Sequence, residues 1–400
     1  MWYMDVPWHA NKGWVMAEVV FEIDPGKPLW EQPVPGHNRW HPDIPAAATV
    51  KPGSEFRVQC AEWTDYQITS SPNADEIRDV NLNRGHSLSG PIAVEGAEPG
   101  DILVVDILDI GTESDWGYTG IFAKENGGGF LTDYFPDAHK AVWDLSGIYA
   151  TSKQIPGVRF AGITHPGLIG CAPSHELLAE WNRREAPLVA QNANPPLALP
   201  PLEEDAVLGT LSGKEKDRVA KEACRTIPPR EHGGNCDIKN ISRGTRIYFP
   251  VYVKDALLSM GDLHFSQGDG EITFCGAIEM DGWMDLGVDL IKGGVEKYAM
   301  VNPIFNPGPV EPRYENYLVF QGICVENGTN YYLDATVAFR RAAMNAIEYL
   351  QRFGFTGEQA YLLLGAAPIE GRIGGIVDIP NCCCTISIPT AIFEQDILPT

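Results

Sequence analysis

The sequence predicts a β-rich α+β fold, with β-sandwich-like sheets and a smaller α+β element toward the C-terminus. Three observations predict it. Glycine (41) and proline (31) are abundant and scattered through the 400 residues, which suits many short strands joined by turns. Runs of strand-like composition recur along the whole chain. Helical periodicity is sparse and falls mainly near the C-terminal end.

The elements follow in order. Residues 13–19 read as a strand, and so do 101–110, β-branched and bounded by Pro99-Gly100 and Gly111. Residues 246–253, 271–280 and 317–324 are further strands. Ser174 is placed to cap a short helix over 175–184, ended by Pro187. Asp334 can N-cap a helix over 335–353, whose apolar stripe is Phe339, Ala343, Ala346, Ile347 and Leu350, and Gly354 stops it. Thr356 and Gln359 form a capping-box pattern for a second helix. Residues 185–235, rich in Pro, Asn and charge, read as an irregular arm, lid or linker, and 300–316 as a loop. The expected division is 1–184 mainly β, 185–235 arm, and 236–400 β-rich with C-terminal helices, packed closely enough to form one composite domain.

Charge narrows the function. Asp and Glu total 53 against 30 Lys and Arg, for a formal net charge of -23. Such a surface repels nucleic-acid phosphates and anionic lipid, so neither is expected as a partner, and a small neutral substrate fits more easily. No basic and apolar leader is visible at the start. No apolar run approaches the roughly 20 residues that span a bilayer, so a cytoplasmic protein is expected. The nine cysteines form no Cys-x-x-Cys pair and sit mostly in apolar surroundings. They read as free thiols in a reducing compartment.

The densest chemistry lies at 261–271, Gly-Asp-Leu-His-Phe-Ser-Gln-Gly-Asp-Gly-Glu. In an extended chain Asp262 and His264 share a face, because side chains alternate. Asp269 and Glu271 follow in a glycine turn. Imidazole plus carboxylates suits a divalent metal. Spacing alone favours a solvated polar turn, since no strict zinc signature is present. Glu231-His232-Gly233-Gly234-Asn235-Cys236-Asp237 offers paired glycines beside polar side chains. Residues 162–175 carry His165, Cys171 and a possible helix start, and the apolar surroundings favour an inert buried thiol at Cys171. Residues 84–101 place His86 near a Glu-Pro-Gly-Asp turn. Cys382, Cys383 and Cys384 read as buried strand, because adjacent side chains point to opposite faces. No Gly-x-Ser-x-Gly elbow appears.

Together these segments resemble the formamidase/acetamidase family. The resemblance is carried by 89–101, by 165–174, by Gly233-Gly234-Asn235-Cys236-Asp237, by Gly261-Asp262-Leu263-His264 with Gln267-Gly268-Asp269-Gly270-Glu271, and by Asp378-Ile379-Pro380-Asn381-Cys382. It runs from about residue 15 to the end and resembles the longer, formamidase-like branch. It implies hydrolysis of a short aliphatic amide, foremost formamide, to carboxylate and ammonia, in a homo-oligomer. It also raises the expectation of a divalent metal, zinc by ligand type. On this reading His264, Asp237 and Asp262 hold the ion. Glu271 is general base and then proton donor. Asn235 or a glycine-loop amide stabilises the oxyanion, and His165 is a second acid/base or an extra ligand. Gly234, Gln267 and His86 contact substrate. Two alternatives stand beside it: a Cys171 thiolate nucleophile with His165 or His175 as base, and a non-catalytic β-sandwich that binds a small neutral ligand.

Overall fold

The computed structural model describes residues 17–191, 202–309 and 312–399. Among these, two large sheets share one hydrophobic core. The first has six strands in the order Glu18–Phe21, Glu55–Cys60, Gly282–Ile291, Ile102–Thr112, Arg246–Pro250 and Ile304–Asn306. The second is built around Leu258–Gln267, which pairs with His165–Cys171, with Phe274–Met280 and with Leu88–Val94. Beyond Phe274–Met280 it continues through Trp116–Ile121 and His139–Ser146. One core cluster takes Val58, Val105 and Leu286 from the first sheet and Met260, Trp143 and Phe160 from the second. This is the sandwich that the scattered turns and strand runs predict.

The smaller α+β element is also present. Tyr317–Ile323, Cys383–Pro389 and Glu370–Gly375 form a three-stranded sheet. The helix Ala335–Gln351 covers it, burying Ala343, Ala346, Ile347 and Leu350. Asp334 caps that helix by accepting from the backbone N–H of Thr336 and Val337. Thr356 and Gln359 complete a reciprocal capping box for Gly357–Ala366. Cys382 and Cys384 are buried and Cys383 is half-buried, the alternation expected of a strand.

Three boundaries differ from the sequence reading, each for a physical reason. The helix that starts at His175 does not stop before Pro187 but runs to Gln191 with the proline inside it. Ion pairs from its third turn onward, Arg184 to Glu231 and Glu185 to Arg230, fasten it to the body, so one missing N–H does not end it. Within the arm, Gly213–Glu222 is helical and buries Val219 and Ala220 against Ile44 and Leu208. The strand expected from Glu271 begins only at Phe274, because Glu271 and Phe274 both take a left-handed backbone. Residues 13–16 of the first strand and the Asn-Pro run at 192–196 lie outside the described residues.

The capping contact gives a stability prediction. Asp334→Ala lowers the unfolding free energy by about 1 kcal/mol, read as a lower denaturant midpoint with unchanged amide-hydrolysing activity. An unchanged midpoint would show that the cap contributes nothing.

Candidate active site

Strand register builds the site. In the antiparallel ladders His165 stands opposite His264, and His264 stands opposite Glu279. Directly opposed residues point to the same face, so these three form a row across the second sheet. The two imidazoles meet edge-on with centroids 5.1 Å apart, and His264 Nε2 lies 3.1 Å from Glu279 Oε2. Asp262, two residues before His264, shares its face and brings Oδ1 to 3.3 Å from the same nitrogen. Asp237 comes from the strand edge. The carbonyl of Gly167 accepts from the backbone N–H of both Cys236 and Asp237, each at 3.1 Å, which fixes that loop against His165–Cys171. Asp237, Asp262 and Glu271 all have left-handed φ angles of 50°, 54° and 45°. Such a backbone costs about 1–3 kcal/mol per non-glycine residue, so the surrounding packing holds three carboxylates in unfavourable positions.

Hydrogen bonding orients the central imidazole. Gln267 Nε2 donates to the Asp237 carbonyl at 2.7 Å, so Gln267 Oε1 is left as an acceptor. His264 Nδ1 lies 3.0 Å from that oxygen and donates to it. His165 Nδ1 lies 2.7 Å from the Ile163 carbonyl and its Nε2 lies 2.9 Å from the same Gln267 oxygen, which places His165 as a support behind His264. His264 Nε2 therefore faces Asp262 and Glu279, in ion-pair contact with each. Nε2 of His264, Oδ1 of Asp237 and Oε2 of Glu279 are all buried without a hydrogen-bond partner. Buried polar atoms are normally paired, and three exceptions in one cluster point to something that binds between them.

The electrostatics say the same. Burial raises Asp237, Asp262 adds to the rise and His264 opposes it, leaving Asp237 at about 7. Burial also raises Glu279, against the pull of His264, to about 8. Burial and the neighbouring Asp237 push Glu271 well above the usual carboxylate range. For His264 burial works downward, but Glu279 and Asp262 outweigh it and hold the imidazole well above its ordinary value. Burial would also raise Asp262, yet His264 and His86 bring it below its ordinary value. Four carboxylates against one imidazole is an excess of buried negative charge, and such an excess is costly unless protons or a cation offset it.

Gly167 opens the space at the centre. A Cβ there would lie 2.6 Å from Asp262 Oδ2, 2.6 Å from His264 Cε1 and 2.7 Å from Asp237 Oδ1, so only glycine leaves room. A cavity of 470 Å³ reaches the cluster. Its polar wall holds Asp237, Asp262, Gln267, Glu271 and Glu279, with His86 and Asn235 beside them, and its apolar wall holds Trp63, Phe122, Ile227, Pro229 and Phe274.

The residues singled out from sequence divide accordingly. His264, Asp237, Asp262, Glu271, Gln267, Asn235 and His86 come together at or around this cavity. His165 supports His264 from behind. Gly234 lines a neighbouring cavity of 450 Å³ instead, and Cys236 lines both. Asp269 turns away to Lys239, 2.7 Å from its Nζ. Cys171 is buried in strand pairing opposite Leu258 and lines neither cavity, and burial pushes its thiol up. The Cys236 thiol is raised by burial to about 11, so neither cysteine offers a ready thiolate. The sequence reading missed Glu279 and Gly167. Glu279 carries a readable signal, as a lone carboxylate inside the apolar run Phe274–Met280.

The model of the acetamidase/formamidase family matches residues 22–395. A formamidase of Methylophilus methylotrophus is 60% identical over 387 residues, 96% of this chain and 95% of that protein. An acetamidase of Mycolicibacterium smegmatis is 61% identical over 370 residues, 89% of this chain and 91% of that one. Among solved structures, the gamma lactamase from Delftia acidovorans superposes with a TM-score of 0.93 at 55% identity, covering 96% of this chain and 95% of that one. The chain belongs to the acetamidase/formamidase family and is an amide hydrolase.

Two predictions test the site. Gly167→Ala puts a methyl group among Asp237, Asp262 and His264 and lowers kcat/KM by about 100-fold, the scale of a roughly 1 Å misplacement. Cys171→Ala keeps activity within a few-fold of wild type. Its total loss in folded protein would revive the thiolate nucleophile. An ammonia-release assay reads both.

Proposed function

We propose that the chain hydrolyses short aliphatic amides, formamide among them, to carboxylate and ammonia by metal-assisted attack of water in the cavity beside His264. The observation that carries this reading is a set of unpartnered buried atoms, Asp237 Oδ1, His264 Nε2 and Glu279 Oε2, in two ligand groups that share His264, with Asp237 Oδ1 and the His264 ring beside the opening at Gly167. The donor set fits a divalent cation. His264 and Asp262, with Glu279, and His264 and Asp237, with Glu271, form two groups whose ligand atoms lie within 4.8 Å of one another. His264 also donates its other ring nitrogen to Gln267, the second hydrogen bond that metal-bound histidines commonly make.

On this reading His264, Asp262, Asp237 and Glu279 hold the ion. One imidazole nitrogen with carboxylate oxygens suits a divalent cation such as zinc. A bound divalent ion supplies Lewis acidity, polarising a carbonyl and acidifying water toward neutral pH. The remaining steps belong to side chains. Glu271, at the cavity wall, takes the proton of the attacking water and delivers it to the departing nitrogen. His86 and Asn235, whose Nδ2 also donates to the Ile227 carbonyl at 3.2 Å, offer N–H donors to the charge that develops on the carbonyl oxygen. Trp63, Phe122 and Phe274 exclude water and receive the acyl group. A 470 Å³ cavity holds formamide with room to spare, so acetamide and somewhat larger amides also enter. All nine cysteines are unpaired, which supports a reducing, cytoplasmic setting. Exposed apolar side chains such as Ile373, Val377 and Ile379 support assembly with further copies of the chain.

Removal of divalent metal by chelation abolishes ammonia release from formamide and acetamide, and added zinc restores it. Full activity in rigorously metal-free protein would sink this mechanism. Glu271→Gln lowers kcat by roughly 10²–10⁴-fold with metal content unchanged. A variant of wild-type rate would move the base elsewhere.

A further inference from the structure

Thr226 lies in the arm that covers one edge of the cavity, next to the wall residues Ile227 and Pro229. Its side chain is fully buried. Its Oγ1 receives the backbone N–H of His86 at 2.9 Å and lies 3.0 Å from His86 Nδ1. A threonine hydroxyl has one proton to donate. If Nδ1 carried the imidazole proton, Oγ1 would accept twice, and no acceptor is recorded among the described residues for the buried hydroxyl proton. If the hydroxyl donates to Nδ1, both the hydroxyl and Nδ1 are satisfied. That arrangement places the imidazole proton on Nε2.

The rest of the pocket uses this tautomer. His86 lines the cavity, and its Nε2 stands 3.8 Å from Asp262 Oδ2, beyond hydrogen-bond length. The N–H is therefore available to an incoming acceptor. Trp63 packs on the ring with centroids 5.1 Å apart and limits its rotation. Arg225, next to Thr226, ties the arm to the preceding loop by donating to Asn83 Oδ1 at 2.7 Å and to the Leu82 carbonyl at 3.3 Å. The hydroxyl thus reaches His86 from a segment fastened at Arg225.

We propose that Thr226 is a positioning residue: its hydroxyl fixes the Nε2–H tautomer of His86, and that N–H donates to the carbonyl oxygen of the amide as negative charge develops there. The arm then has a chemical role, because it supplies the group that sets the donor. The proposal rests on the cavity beside His264 being the place of amide hydrolysis, and it is independent of which ion binds there.

The test is a series at position 226. Thr226→Val is nearly isosteric and lacks the hydroxyl. It lowers kcat for formamide by about 100-fold, the scale for loss of one oxyanion donor, with KM changed little and zinc content equal to wild type. Thr226→Ser keeps the hydroxyl and restores kcat to within a few-fold. Nitrogen-15 spectra of histidine-labelled wild type, with His86 assigned from its loss in His86→Gln, show a protonated Nε2 and an unprotonated Nδ1. Wild-type kcat in Thr226→Val, failure of Thr226→Ser to restore it, loss of bound zinc in Thr226→Val, or a proton on Nδ1 of His86 overturns the proposal. Should metal-free wild type remain active, the ion mechanism falls while the His86 spectrum still decides the tautomer.

Discussion

The pairing of His165, His264 and Glu279 across three antiparallel strands is the contact on which the site depends. Strand periodicity is two, so a slip of one residue in either ladder would send one member of the row to the other face. The row also fixes what lies nearby. Asp262 reaches Nε2 of His264 because it is two residues earlier on the same strand. Gln267 reaches Nδ1 because the ladder is irregular between His264 and Gln267, which turns that side chain back toward the histidines. The hydrophobic core shared by the two large sheets holds the register, and so the apolar packing of the sandwich sets the geometry around one imidazole.

Around that row the protein concentrates unfavourable features. Asp237, Asp262 and Glu271 occupy left-handed backbone, Gly167 leaves a gap that any other residue would fill, and several buried atoms lack partners. Each of these destabilises the folded chain. Their joint occurrence in one place is the signature of a site and differs from ordinary core polarity. His232 shows the contrast: it is also fully buried, with its Nε2 unpartnered and its Nδ1 2.6 Å from the Cys171 carbonyl, but it is enclosed by the rings of Trp40 and Trp181 and belongs to no group of metal-ligating side chains among the described residues.

Much of this was legible in the sequence, and the remainder was hidden for definable reasons. Local signals carry short-range information well: the Asp334 cap, the Thr356–Gln359 box and the shared face of Asp262 and His264 all depend on residues within four positions of each other. Motif resemblance carried the family and drew 165–174, 233–237 and 261–271 to one place. Glu279 stayed hidden because its role arises from cross-strand register, which no local pattern reports. Gly167 stayed hidden because its function is empty space, defined only by what surrounds it. Thr226 and Ile227 lie in a segment whose composition reads as a linker, and only the folded arrangement brings them to His86 and the cavity. Pro187 shows the opposite case, in which a strong local stop signal is overridden by ion pairs made at a distance.

The central claim is that the cluster around His264 holds a divalent ion that the carboxylates require. Anomalous diffraction from crystals of the active enzyme, collected on both sides of the zinc absorption edge, tests it most directly. The account predicts a peak bounded by Asp237, Asp262, His264 and Glu279 that disappears below the edge or moves to the edge of another divalent metal. Crystals of fully active protein with no anomalous density there, and with His264 Nε2 hydrogen-bonded to a carboxylate instead, would contradict it.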